Sequence, residues 1–92
     1  MNLRTVILAF LAARSPASFG TDVIHSRITR CGMLDTSPTV DDVKGELETL
    51  SSTKMNALVT VDVHPVTKVP TWWATDAGVK QWTLDGRISV GG

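Results

Sequence analysis

The side chains of this 92-residue chain that could carry out chemistry are few and scattered. The chain contains two histidines, His25 and His64, and one cysteine, Cys31. A zinc site takes about three or four ligands at defined spacing, and these three residues do not make such a set. No glycine-rich phosphate loop follows a strand-like run, and no nucleophile–base signature is present. We therefore predict a protein that is not an enzyme and that holds no metal or cofactor.

Two further features that could suggest chemistry have simpler explanations. The adjacent carboxylates Asp41 and Asp42 lie at the start of a predicted helix, where negative charge interacts favourably with the helix dipole. Cys31 has no second cysteine to pair with, so the chain has no internal disulfide. This cysteine usage fits a reducing compartment and predicts a cytoplasmic location, with Cys31 packed near a helix end.

The charge balance bears on possible partners. Nine basic and nine acidic residues cancel, whereas a nucleic-acid-binding domain usually carries a basic surplus. Arg27 and Arg30 lie three residues apart, so they share a helix edge that could hold phosphate groups; the simpler interpretation is a solvated basic edge. The length suffices for one domain with one modest core, and we assign residues 1–92 to a single domain.

Apolar residues at helical spacing predict three helices before a hairpin. The first covers residues 2–14; the second begins at Thr21 or Asp22 and ends at Gly32. The third begins at Thr39, and an acidic residue three positions later predicts a capping box. The apolar positions expected to point inward from the second and third helices are Val23, Ile24, Ile28, Val40, Val43, Leu47 and Leu50.

The first apolar run has a second interpretation. A single early positive charge, the run TVILAFLAA and the small residues that follow also resemble a signal peptide. The run is too short to span a bilayer, which takes roughly 20 apolar residues. We favour a core helix, because without it the rest of the chain would lose its best apolar helix. No membrane association is expected.

The second half of the chain predicts a β-hairpin and a last helix. Val59, Val61 and Val63 alternate with polar residues, which predicts a first strand. A turn containing Pro65 follows, and residues 69–74 form the second strand, which runs back beside the first. Pro70 cannot donate to a ladder, so it belongs at an edge or a bulge. A final helix is capped by Thr75 and runs through Trp82, and the tail after residue 85 either adds a strand through Ile88 and Val90 or frays. The predicted core comprises Phe10, Ile24, Val43, Leu47, Val61 and Trp72.

The junction after the hairpin resembles a known superfamily. Trp72, Ala74, Thr75 and Gly78 form an aromatic-x-aliphatic-Thr-x-x-Gly pattern that resembles the wing-to-final-helix junction of winged helix-turn-helix regulators of bacteria and phages. The resemblance covers about residues 3–84. It implies an α+β, mainly α, winged-helix fold, with a three-helix helix-turn-helix core, a two-stranded β wing, a short C-terminal helix and a tail at 85–92.

The resemblance also implies a function. In winged-helix regulators the third helix lies in the major groove and the wing contacts the backbone or minor groove, so the chain is expected to be a DNA-binding transcriptional or phage accessory regulator. A homodimer would double its basic contacts. The residues predicted for DNA contact are Arg27, Arg30, Lys44, Thr49, Ser52 and Lys68; the last four follow from the resemblance, and the two arginines from the basic edge of the second helix.

The third helix departs from this DNA-binding pattern. It carries Asp41, Asp42, Glu46 and Glu48, and carboxylates near a polyanion cost electrostatic energy. The alternative hypothesis is a winged-helix module that binds a protein partner and not DNA. Trp72 and Trp73 are adjacent on a strand and point to opposite faces. The winged-helix resemblance implies that Trp72 points inward, so Trp73 faces outward, where it either joins an exposed apolar patch or packs against Pro70 or the tail. The interaction residues predicted for this alternative are Val66, Val69, Trp73 and Trp82.

Overall fold

The structure is a computed structural model that describes residues 2–52 and 56–90. It is an α+β arrangement, about half helical, in which the described residues form four helices and a three-stranded antiparallel sheet. The elements are α1 (Leu3–Ala13), β1 (Phe19–Gly20), α2 (Thr21–Arg30), α3 (Val40–Ser52), β2 (Val59–Val63), β3 (Pro70–Ala74) and α4 (Asp76–Leu84).

Helix α1 lies at the centre of the molecule. Residues 6–12 are all buried, and the helix contacts α2, α3, α4 and β3. The sequence predicted a helix here with one apolar face; the helix is confirmed, but it is covered on every side. A helix that is apolar all round is one that other elements enclose, and the run TVILAFLAA has that composition.

The helix starts follow the predicted capping chemistry. The Thr39 hydroxyl accepts from the Asp42 amide at 3.1 Å, and the Asp42 carboxylate accepts from the Thr39 amide at 3.0 Å. This reciprocal pair is the predicted capping box. At the far end of α2, Gly32 has a φ of +70°, a conformation that favours glycine and stops the helix.

The sheet has one strand more than the predicted two-stranded wing. Its order is β1-β3-β2, and β1 pairs Phe19 with Trp72 and Gly20 with Thr71. The sequence predicted no strand between the first helix, which ends at residue 14, and the second, which begins at Thr21 or Asp22; this is wrong for Phe19 and Gly20. A two-residue strand is too short to show the alternation by which strands are recognised.

The core contains most of the predicted residues, with three corrections. Phe10, Ile24, Val43 and Leu47 are fully buried, and Trp72 is nearly so. Val61, Val23 and Val40 are instead exposed.

Each correction has a physical reason. Only the first valine of β2, Val59, lies under the helices; the rest of β2 extends past them, and alternation alone does not reveal where that cover ends. Val23 is about 100° around the helix from Ile24, off the stripe that Ile24 and Ile28 define. Val40 is the first residue of α3, where the helix has passed the edge of the core.

The C-terminal tail neither frays nor forms a strand over residues 85–90. Val90 is 2% exposed and belongs to the core, while Ile88 packs against it. The carbonyl oxygen of Ile88 accepts from the indole nitrogen of Trp82 at 2.9 Å, which ties the tail to α4.

The junction between β3 and α4 is held by contacts to the segment before β2. The Thr75 hydroxyl accepts from the Gly78 amide at 3.1 Å and donates to the carbonyl of Ala57 at 2.5 Å, and the Thr75 amide donates to the carbonyl of Leu58 at 3.1 Å. Gly78 is buried against that Leu58 carbonyl, and a Cβ at position 78 would overlap it and lie 3.3 Å from Cδ1 of Leu8. The Thr-x-x-Gly spacing therefore has a structural role: it caps α4 and lets it approach the neighbouring backbone.

Candidate interaction surface

An open groove lies between the starts of α2 and α3 and the start of β3. It has a volume of about 450 Å³, and we call it the α2–α3 groove. The side chains that define its chemistry are Asp22, Val23, Val40, Asp41, Lys44 and Val69.

Half of these six side chains are apolar and exposed. The exposed fractions are 43% for Val23, 36% for Val40 and 51% for Val69, and Val66 at the hairpin tip is 81% exposed. With Val61 and Val63 on β2, six of the seven large exposed apolar residues in the described ranges are valines of the groove or the hairpin; the seventh is Leu84. Single exposed apolar residues are ordinary, but several that line one concave surface are typical of a binding site.

The charges in the groove are mainly acidic. Asp22 and Asp41 lie in the first turns of α2 and α3, where each interacts favourably with its helix dipole. Lys44, one turn further along α3, is the only cation among the groove's lining residues. Two carboxylates and one ammonium give the groove a net charge of −1, which disfavours a polyanion.

The residues predicted to contact DNA are divided between different parts of the surface. Lys44 lines the groove, but Arg27 and Arg30 lie in the last turn of α2, about 9 Å and about 14 Å along the helix from Thr21. Thr49 and Ser52 lie near the other end of α3, where their hydroxyls donate to the carbonyls of Gly45 at 3.0 Å and Thr49 at 3.2 Å. Of the predicted DNA contacts on the two helices, only Lys44 lines the α2–α3 groove.

Lys68, the remaining predicted DNA contact, lies in the hairpin turn. Its φ is +60°, and its amide donates to the carbonyl of His64 at 2.9 Å. The imidazole Nδ1 of His64 accepts from the amides of Val66 and Thr67, both at 3.2 Å. His64 thus closes the turn in the way that an Asp or Asn side chain often does. The sequence analysis did not predict this role, although a polar side chain directly before Pro65 indicated it.

The residues predicted for protein interaction also differ in their surroundings. Val66 and Val69 are well exposed. Trp73 is half-buried on the outer face of the sheet opposite Thr60, while Trp72 points inward and donates to the Thr21 hydroxyl at 2.9 Å. Trp82 packs on the core, and the Arg87 guanidinium lies 5.9 Å from its ring centroid. Trp82 therefore contributes to intramolecular packing.

The residues that sequence reasoning missed at this surface are Val23 and Val40. Both had been assigned to the core by their apolar character. The angular position of Val23 around its helix was the available signal, because it is incompatible with a stripe through Ile24 and Ile28. For Val40 the sequence carried no such signal, since its spacing to Val43 and Leu47 fits a core face.

A second cleft, of about 490 Å³, lies near the start of α1 and is acidic. Its lining includes Asp35, Asp42 and Glu46. Asp42 caps α3, and Glu46 forms an ion pair with Arg4 at 3.0 Å. Among the described residues, no three His, Cys, Asp or Glu side chains are grouped so that they could hold a metal ion. Two of these three carboxylates, Asp42 and Glu46, thus have structural partners, and the groove between α2 and α3 is the better candidate for binding.

Comparison with known proteins gives no family for this chain. No protein-family model, no curated protein and no solved structure matches it. None of the helices within residues 2–52 and 56–90 combines the length and the apolarity needed to cross a bilayer.

Proposed function

We propose that this chain is a winged-helix protein-interaction module whose α2–α3 groove binds an apolar segment of a partner protein. Support for the winged-helix assignment comes from the order of the elements: three helices are followed directly by a hairpin and a short last helix. The chain departs from the simplest form of that fold by pairing β1 with the hairpin.

The observation that carries the proposed function is the composition of the groove. Valine side chains from α2, from α3 and from the residue before β3 line the groove, and each is about two-fifths to one-half exposed. Fully burying a valine stabilises a complex by roughly 1.5–3 kcal/mol, so covering what remains exposed of each would contribute about 1 kcal/mol. A group of exposed apolar side chains such as this one can form the apolar centre of an interface with a partner protein.

The acidic residues of the groove define the partner further. Asp22 and Asp41 border the valines, so the partner segment is expected to combine apolar side chains with a basic one. A segment with acidic residues would be repelled. Lys44 lies one turn beyond Asp41 and limits how many cations the groove accepts.

The test is a selection of random peptides displayed on phage against the wild-type protein. We expect enriched peptides that are apolar with a basic residue and that lose at least about tenfold in affinity for a Val23→Ser, Val40→Ser double variant. The control is Leu84→Ser, which removes an exposed apolar side chain away from the groove. Enriched peptides that bind the double variant as well as wild type would overturn the proposal.

DNA binding is the second candidate, and the observation in its favour is Lys68. This residue occupies the left-handed region at the projecting end of the hairpin, a conformation that costs a non-glycine residue roughly 1–2 kcal/mol. A lysine in place of glycine keeps a positive charge at the tip. In this candidate Lys68 and Lys44 hold phosphate groups, and Arg27, Arg30, Thr49 and Ser52 contact the duplex only if it reaches the other ends of α2 and α3.

A further inference from the structure

The turn of the hairpin contains a side chain whose hydrogen bonds depend on its protonation state. The imidazole Nδ1 of His64 lies 3.2 Å from the amide nitrogen of Val66 and 3.2 Å from that of Thr67. A backbone amide can only donate, so Nδ1 accepts both bonds and carries no proton. The single proton of the neutral ring is therefore on Nε2. When the ring gains a second proton, Nδ1 becomes a donor that faces two other donors, and both bonds are lost.

The rest of the turn does not hold this shape by burial. Residues 61–69 are all exposed, so amides that are released in the turn can bond to water. Lys68 has a φ of +60°, in the left-handed region that is unfavourable for a residue other than glycine. The other described bonds of the turn are local: the Lys68 amide donates to the His64 carbonyl at 2.9 Å, and the Val69 amide donates to the Thr67 hydroxyl at 3.4 Å. The turn is therefore a strained segment in which two bonds to one imidazole are a large part of what opposes the strain.

The charged residues at this end of the hairpin belong to classes that titrate in a different pH range from histidine. They come from the hairpin itself and, across the α2–α3 groove, from the two helices: Lys68, Asp62, Asp22, Asp41 and Lys44. In model peptides, carboxylates change charge near about pH 4 and lysines near about pH 10, whereas imidazoles do so between about pH 5 and pH 8. A change of the turn within the imidazole range therefore reports on a histidine.

We propose that the hairpin turn is a pH-sensitive switch, closed while His64 is neutral and open once its Nδ1 is protonated. In the closed state the neutral ring holds the Val66 and Thr67 amides, and Lys68 keeps its left-handed conformation. In the open state the imidazolium and the Lys68 ammonium repel one another, and Lys68 returns to a conformation that a non-glycine residue prefers. Val69 follows Lys68 directly and lines the α2–α3 groove, so the switch also moves one of the groove's three valines. The switch stands independently of the proposed function, because it is a property of the turn alone.

The wild-type protein tests the geometry without any substitution. At about pH 8, the nitrogen resonances of the His64 ring should show a neutral ring with its proton on Nε2 alone. As the pH falls, the three-bond coupling between the amide and α protons of Lys68, which reports its φ, should leave its left-handed value with the same midpoint as the ring. His25 is not expected to act in this way. Its Nε2 lies 2.8 Å from the Pro38 carbonyl, which can only accept, so that bond is kept in both protonation states.

Two variants imitate the two states of the switch. His64→Asn closes the turn with a side chain that does not titrate, and His64→Ala removes the acceptor, while both keep His25. Exchange of the Val66 and Thr67 amides with water is measured by NMR and divided by the rate in His64→Asn at the same pH, which cancels the intrinsic pH dependence of exchange. We expect wild type to match His64→Asn at about pH 8 and to exchange about fivefold faster or more at about pH 5, as His64→Ala does at both pH values.

Two results would overturn the proposal. The first is a neutral His64 ring with its proton on Nδ1, since that nitrogen could not accept from the Val66 and Thr67 amides. The second is a wild-type exchange rate that keeps a constant ratio to that of His64→Asn across the imidazole range.

Discussion

The two ends of the β2–β3 hairpin differ in what holds them. At its base, Thr75 bonds to Ala57 and Leu58, far back in the sequence, and Gly78 packs under the Leu58 carbonyl. At its tip, the described hydrogen bonds connect only residues 64–69, and the valines there are open to solvent. Contacts that are buried and non-local determine the fold, whereas a region with only local bonds can change without unfolding the domain. We therefore expect substitutions at the base to lower stability and those at the tip and groove to affect binding.

Replacing a core residue should have the largest effect. Leu47 is fully buried in α3, so Leu47→Ala should lower the free energy of unfolding by about 2–5 kcal/mol through lost burial and a cavity. Val61→Ala is the matched control in the exposed hairpin and should cost clearly less. Urea denaturation followed by circular dichroism measures both, and equal losses would contradict the division between core and hairpin.

The two helical glycines should respond in opposite directions. Gly78→Ala places a methyl group against the Leu58 backbone and should lower the free energy of unfolding by about 1–3 kcal/mol, or by more where the backbone cannot move. Gly45 is exposed in α3 with nothing within 4 Å of its added Cβ. Gly45→Ala should therefore raise the free energy of unfolding by about 1 kcal/mol, because alanine favours the helix. Thermal melts of the pair measure the difference, and a stable Gly78→Ala protein would show that α4 does not pack as closely as described.

Removing the cap of α4 should have an intermediate effect. Thr75→Ala loses the bond from the Gly78 amide and the bond to the Ala57 carbonyl, which should cost about 1–2 kcal/mol of unfolding free energy. Thr75→Ser keeps the hydroxyl and should retain most of the stability. The comparison is made by chemical denaturation, and identical midpoints for the two variants would mean that the hydroxyl contributes nothing.

The hairpin tip should give the smallest effect. His64→Ala removes the acceptor for the Val66 and Thr67 amides, yet the turn is exposed and these amides can bond to water. We expect a loss of no more than about 1 kcal/mol, with His64→Asn close to wild type because asparagine closes turns in the same way. Hydrogen exchange of the two amides should report the local change, and global unfolding in His64→Ala would show that the tip is not an independent region.

Much of the fold was predictable because its signals are local. Residues such as Thr39 and Asp42 predict where a helix starts, because their side chains form hydrogen bonds within one turn. The segment 3–13 is apolar enough to be recognised as a core helix. The hairpin follows from alternation, which also places Trp72 and Trp73 on opposite faces; the winged-helix resemblance implied which of the two is buried. These features depend on neighbours in sequence.

The parts that the sequence did not reveal depend on distant neighbours. β1 forms because Phe19 and Gly20 lie beside β3 in the folded chain, and Val61 is exposed because the helices do not extend over it. The groove was not predicted for the same reason: its valines come from two helices and the hairpin, and the apolar character of Val23 and Val40 alone suggested burial. Arg27, Arg30 and Lys44 were all predicted as DNA contacts, and of these three only Lys44 lines the groove.

The most direct test of the account is a salt titration of binding to a short mixed-sequence DNA duplex, measured by fluorescence anisotropy for wild type and for a Lys44→Ala, Lys68→Ala variant. The groove carries more negative than positive charge, so we predict that wild type has no measurable affinity for the duplex even at low salt. Binding at low salt whose logarithm falls linearly with the logarithm of salt concentration, with a slope about two units smaller in the double variant, would contradict the protein-binding account and favour DNA.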